Sequence, residues 1–220
     1  MSADKLNREI LTQEDMQRPR FPSDLARWWW NKYEKIRADE IEVKKARLHV
    51  GLYKYFMREM FPLSIFASWK YPDVVLVRWV NKEYDAEVLW GSNHDRVHRI
   101  EITWPNDGKY HKEVSIALNN YEYHGGRFGD DFDNYHKDVQ THVLRAAKVK
   151  SVSDYRSPDG STLLIVIDTQ CSPLDQEKRY SQIESLSVRL SQISYLVDDV
   201  YLVGIPHFCI CPVIEQPTRQ

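Results

Sequence analysis

The spacing of apolar residues changes period near Pro72, and that change organises the chain. Before it, Ser23 and Asp24 supply helix-start chemistry for LARWWWNKYEKIRADEIEVKKARLHVGLYKYFMREMF. Leu52, Tyr55, Phe56 and Met60 recur there at helical spacing, and Gly51 divides the segment into two helices. Trp28, Trp29 and Trp30 cannot all point the same way on a helix, so at least one covers a second surface, such as the sheet or a partner; the plain alternative is that they clamp the helix to its own domain. After the change, VVLVRWV (74–80), YDAEVLW (84–90) and RVHRIEITW (96–104) read as strands joined by the turn-like NKE and GSNHD, an antiparallel meander. Asn106 and Asp107 can cap a helix over DGKYHKEVSIALNNY. A further helix over about 136–151 has Val139, Val143 and Ala147 on one face.

STLLIVID (161–168) is an almost unbroken apolar run ended by an acid, as expected of a buried central strand. Tyr180, Ile183, Leu186, Leu190, Ile193 and Val197 mark a long amphipathic helix, and DVYLVGI and FCICPVI close the domain as strands. The order predicts an α/β (α+β) fold: a mixed central sheet, with the meander followed by a β-α-β crossover and helices on both faces. Residues 1–22, polar and ending in RPRFP, read as a flexible N-terminal tail. Residues 23–215 read as a single domain whose part 23–62 is helical.

Composition narrows the classes. A chain of 220 residues, 42% apolar and 12% aromatic, can bury a real core. Its formal charge of -2 lacks the overall basic excess that advertises a nucleic-acid binder, although a local basic face is compatible with that total. Cys171, Cys209 and Cys211 make neither a disulfide framework nor a zinc signature. MSADKLNREILTQEDMQ has no apolar core of a signal peptide, and no run approaches a membrane span, so the expected location is cytoplasmic. GGRFGDD (125–131) does not match a phosphate-binding loop, and the histidines show no compact zinc spacing, reading instead as scattered surface residues. His142 is a candidate proton shuttle on its helix.

Two acids interrupt the meander. Along the third strand Ile100, Ile102 and Trp104 face one way and Arg99, Glu101 and Thr103 the other; on the second, Asp85, Glu87 and Leu89 share a face. The intervening turn brings Asp85 towards the end of its neighbour that carries Glu101, where two carboxylates can share a divalent cation. The bland alternative is cross-strand pairing with Arg78 or Arg99 on an exposed face. Pro72-Asp73 stands farther from Glu101 and reads as a strand-entry turn.

An acid entering one strand, an acid two residues before Thr103 on the next, then a helix, a buried strand and a further helix resemble the PD-(D/E)XK nuclease superfamily. IEITWPNDG also resembles a bacterial group with an acid-x-Thr strand. The resemblance implies a restriction-endonuclease-like fold and a phosphodiesterase dependent on Mg²⁺ or Mn²⁺, in a restriction or phage-defence setting, with DNA ahead of RNA as substrate. It implies Asp85 and Glu101 as metal ligands and as catalytic residues together with Thr103. Arg99, Lys109 and Lys112 would contact substrate phosphate or lie nearby. Thr103 departs from the pattern, because it stands where the superfamily's lysine is expected and carries no positive charge. Three explanations follow: a lysine migrated to a neighbouring element (Lys109, Lys112 or Lys137), a metal that suffices alone, or a degenerate site. The alternative function is a non-enzymatic interaction module that docks a protein on Trp28, Trp29 and Trp30. A homodimer is compatible with either, and no membrane partner is expected.

Overall fold

Six strands lie side by side in chain order: β1 (Leu76–Trp79), β2 (Ala86–Trp90), β3 (Arg96–Thr103), β4 (Ser161–Asp168), β5 (Asp199–Ile205) and β6 (Cys209–Ile214). They belong to a computed structural model that describes residues 9–80, 82–105, 132–168, 176–205 and 209–215, excepting the side chains of 132–138, 168 and 176–179. β1, β2 and β3 form the expected antiparallel meander, β3, β4 and β5 run parallel, and β6 returns antiparallel. Parallel pairing of β4 and β5 demands a crossover, and the chain between them carries a helix, Gln176–Leu190.

Alternation along the strands sends side chains into two cores. Val77, Trp79, Ala86, Val88, Ile100, Ile102, Leu164 and Tyr201 pack with the N-terminal helices α1 (Gln13–Gln17), α2 (Pro22–Arg37), α3 (Glu40–Arg47), α4 (Leu52–Tyr55) and α5 (Phe61–Lys70). Leu163, Ile165, Val200 and Leu202 pack with α6 (Phe132–Ser151) and α7 (Gln176–Leu190). Helices therefore cover both faces. Among the described residues none is long and apolar enough to cross a membrane.

The described part of the expected tail, residues 9–22, is docked on the domain. Leu11 and Met16 are buried, Thr12 caps α1, and Arg20 exchanges backbone hydrogen bonds with Val77, covering the outer edge of β1. Two apolar side chains reaching the core hold a helix of five residues too short to stand by its own propensity. The helical part also breaks twice: at Asp39, whose carboxylate accepts the Ile41 and Glu42 N–H groups, and at Gly51, which sits at φ 56°. At the other end α7 stops at Leu190, short of the expected Ile193 and Val197. Val197 reaches the core from the connection beyond the helix. The helix expected over DGKYHKEVSIALNNY lies outside the described residues.

The three tryptophans divide their roles. Trp29 is buried, stacks on Phe61 and Phe56 with centroids 4.1 and 5.2 Å away, and donates to the Phe56 carbonyl at 3.0 Å. Trp28 is partly buried and donates to Asp15. Trp30 is the exposed one, at 45%.

His98 departs from the surface expectation. It is buried, its Nε2 lies 2.7 Å from Thr162 Oγ1, and burial pulls its pKa down to about 4. Gly160 packs against it at φ 109°, and an added Cβ would stand 2.6 Å from His98 Nδ1. Gly160→Ala should therefore cost about 1–3 kcal/mol in urea unfolding. An unchanged midpoint would show that neither the backbone angle nor the contact constrains this turn.

Candidate active site

Asp85 immediately precedes β2. The β2–β3 register pairs Ala86 with Ile100, so one step further Asp85 stands opposite Glu101. Here the ladder changes: the Ile102 N–H is taken by Asp85 Oδ2 at 2.7 Å, while the Asp85 N–H donates to the Ile100 carbonyl. The carboxylate thus closes a backbone position at the end of the pair, which fixes its orientation. Glu101, two residues before Thr103, points to the α6 face and is buried. The polar stripe of β3 is therefore not solvent-facing where it carries Glu101 and Thr103, because both are buried.

A third acid joins from the helical region. Phe56–Met60 is a π-helical turn between α4 and α5, a wider turn than the α-helices on either side. Phe56 and Met60 anchor it in the core, and Glu59 accepts a hydrogen bond from Trp79 Nε1, at the end of β1, at 2.6 Å. Trp104 Nε1 donates to the Arg58 carbonyl beside it. The ends of β1 and β3 and the start of β2 thus share one rim with this turn. In open α/β sheets, ligand sites collect at such carboxyl ends of strands.

The electrostatics bind these groups into one set. Burial, then the neighbouring Asp85 charge, pushes both Glu59 and Glu101 up to about 7. Asp85 is itself raised by burial, opposed by the Ile102 N–H and by the charges of Lys150 and Lys54. Lys150, in the last turn of α6, forms an ion pair with Glu101. Burial lowers the lysine's pKa, but the hydrogen bond and charge of Glu101 raise it by more, so the ammonium persists. Both pKa values of this pair are raised, with opposite consequences: Glu101 is driven towards its neutral form while its partner is held charged. The geometry resolves this, since Glu101 also feels Asp85, a like charge that Lys150 does not neutralise alone.

Glu59 and Lys150 escaped the sequence reading. The signal for Glu59 was an acid inside the apolar run FMREMF. That for Lys150 was a lysine on the apolar stripe of α6, three residues after buried Ala147 and seven after buried Val143. Lys150 is the lysine that the fold brings to Glu101. Of the three lysines proposed for it, Lys109 and Lys112 lie outside the described residues, as does the Lys137 side chain.

The other expected residues fall elsewhere. Arg99 packs its guanidinium 4.8 Å from the Tyr84 ring centroid and donates to the Arg156 carbonyl at 2.8 Å, so it braces the sheet. Arg78 pairs with Glu87, which is buried and also accepts from Tyr84. Neither arginine neutralises Asp85 or Glu101, contrary to the cross-strand alternative. His142 is exposed, one position before buried Val143. Cys209 and Cys211 are half-buried free thiols.

Glu59, Asp85 and Glu101 offer hard oxygen donors, the type that Mg²⁺ and Mn²⁺ take. Among the described residues no group of three or more His, Cys, Asp or Glu is placed to hold a metal ion together. Mg²⁺ commonly binds one or two carboxylates, with water and phosphate oxygens completing its shell. No protein-family model, curated protein or solved structure matches the chain.

Proposed function

We propose that the chain is a divergent phosphodiesterase of the PD-(D/E)XK type, hydrolysing nucleic acid with Mg²⁺ or Mn²⁺. The observation that carries this reading is the convergence of Glu59, Asp85 and Glu101 with Lys150 at one rim of a mixed sheet. Burial and the Asp85 charge raise the pKa of both Glu59 and Glu101, a burden that a divalent cation would relieve, and the oxygen chemistry of the three acids suits it. The strand order and the two acids, one just before β2 and one on β3, support a restriction-endonuclease-like arrangement.

Hydrolysis adds a water oxygen to phosphorus, breaks a P–O ester bond and delivers a proton to the leaving oxygen. A bound cation supplies an acidified water and neutralises phosphate charge. Asp85, fixed by the Ile102 N–H, and Glu101 would hold that cation. Glu59, with a pKa near neutrality, can accept the water's proton. Lys150 brings the positive charge that Thr103 lacks, placing it where charge develops on phosphate. Thr103 is left to orient water by hydrogen bonding.

The test is cleavage of plasmid, linear and single-stranded DNA and of RNA with each metal and with chelator, beside calorimetry of metal binding. Cleavage of at least one substrate that needs Mg²⁺ or Mn²⁺ is expected. Undiminished cleavage in chelator, or neither cleavage nor metal binding, overturns the reading. Of its three tryptophans the protein-docking alternative retains Trp30 as exposed, because Trp28 and Trp29 are engaged within the fold.

A further inference from the structure

A polar concavity of about 560 Å³ opens between the N-terminal segment and α2, beside Leu76 at the start of β1. Five cations line it, Arg18, Arg20, Arg27, Lys32 and Lys35, against two acids, Asp15 and Asp24. The local excess is three positive charges in a chain whose formal charge is -2, so it does not follow from general composition. Its floor is built. Asp15 pairs with both Arg20 and Lys32 and accepts from Trp28 Nε1, while the Arg20 guanidinium lies 4.2 Å from the Trp28 ring centroid.

Asp15 therefore holds the inner two cations in place and leaves the outer three for something else. Arg18 and Lys35 are exposed and form no ion pair among the described residues. Arg27 has only an exposed pair with Asp24, which is weak and readily exchanged. Arg27, Asn31 and Lys35 are spaced four apart and form a stripe along α2, about 12 Å from first to last at the helical rise. The exposed ring of Phe21 stands on the rim. Exposed cations spread along a cleft beside an aromatic ring are what a single nucleic-acid strand needs: charges that track phosphates and a ring on which a base can stack.

The geometry points to this cleft as a binding groove for a single-stranded nucleic-acid segment, with Arg18, Arg27 and Lys35 on its phosphates and Phe21 against a base. The inference deepens the phosphodiesterase reading and rests on it for the identity of the polyanion. Four-residue β1 separates the cleft, at Leu76, from the acid rim, at Trp79, so one strand could engage both.

The experiment is fluorescence anisotropy of a labelled oligothymidylate with the full chain, in chelator and over a range of salt. Chelator removes metal chemistry, so binding is read whether or not the protein cleaves anything. Arg18→Gln/Arg27→Gln/Lys35→Gln should weaken binding at least tenfold and reduce the slope of log K against log salt by about 2, for three lost phosphate contacts. All three side chains are exposed, and thermal unfolding will verify that the variant folds. Arg37→Gln/Lys45→Gln/Arg47→Gln, which removes as much charge from exposed positions elsewhere on α2 and α3, should change affinity less than twofold. Equal loss in both variants, binding that survives the first, or no binding by the native chain overturns the assignment. Polyglutamate bound as tightly through the same three residues would make the cleft a dock for acidic peptides, and also overturns it.

Discussion

Asp85→Ala and Glu101→Gln should each abolish metal-dependent cleavage, and Lys150→Met should lower kcat by about 10²–10³-fold. The three substitutions separate by mechanism. Removing either carboxylate takes an oxygen donor from the cation, so calorimetry should show weakened metal binding together with lost cleavage. Glutamine at 101 keeps the shape and an acceptor for Lys150, so its failure would be one of charge and not of folding. Lys150→Met removes the ammonium paired with Glu101 and leaves the donors in place. Metal binding should survive it, with the activity profile displaced to higher pH, because Glu101 without its partner holds its proton more strongly. Thr103→Ala should cost less than tenfold. Thr103→Lys should leave activity unchanged or raise it, since it returns a cation to the strand position. Lys150→Met at native activity would remove the lysine from the reaction and leave the cation to act alone. Cleavage that survives both acid substitutions would place the chemistry elsewhere.

The difference between legible and hidden parts of this site is one of sequence distance. Asp85 and Glu101 stood out because they interrupt adjacent strands, where alternation fixes which residues share a face and a short turn fixes which lie opposite. The meander strands were legible for the same reason, since period-two patterns are local, and β4 was legible as a short unbroken apolar run. Glu59 lies twenty-six residues before Asp85 in another element, and only the packing of Trp79 against the π-helical turn brings it to the rim. A turn of that kind leaves no strong mark in the sequence. Lys150 was in view as a neighbour of Val143 and Ala147, but a lysine closing an apolar stripe ordinarily snorkels to solvent. Proximity along the chain directed attention instead to Lys109 and Lys112. Polar composition suggested a tail over 1–22, while in its described part, from residue 9, two residues, Leu11 and Met16, dock the segment. Composition averages over a segment; docking depends on single side chains.

Glu59→Gln should make the metal-free protein more stable above pH 7, by on the order of 2–3 kcal/mol at pH 8, with almost no difference near pH 4.5. The sign follows from the raised pKa. In the unfolded chain this carboxyl titrates near 4.5, and in the folded chain near 7. Folding therefore favours its protonated form. That stabilisation is complete below pH 4.5 and is lost progressively as pH rises through about 7, where folding must accept a buried anion beside Asp85. Glutamine stays neutral at every pH and keeps a carbonyl oxygen for Trp79 Nε1. The comparison must be made between variants. His98, pushed down to about 4, has the opposite slope between pH 4 and 6.5: its burial as a neutral ring is lost as an advantage when the pH falls. It is common to both proteins and cancels in the difference. Urea unfolding at pH 4.5, 6, 7 and 8 in chelator measures that difference, and Mg²⁺ at saturating concentration should shrink or reverse it at pH 8. A cation stabilises the ionised acids of the native chain and gains less from glutamine, and its binding below pH 7 must displace protons. A difference that is flat with pH would mean that Glu59 is solvated and does not belong to the acid cluster. One that grows with pH but ignores Mg²⁺ and Mn²⁺ would leave a buried carboxyl cluster without a cation, and the site would then have to work by proton transfer alone.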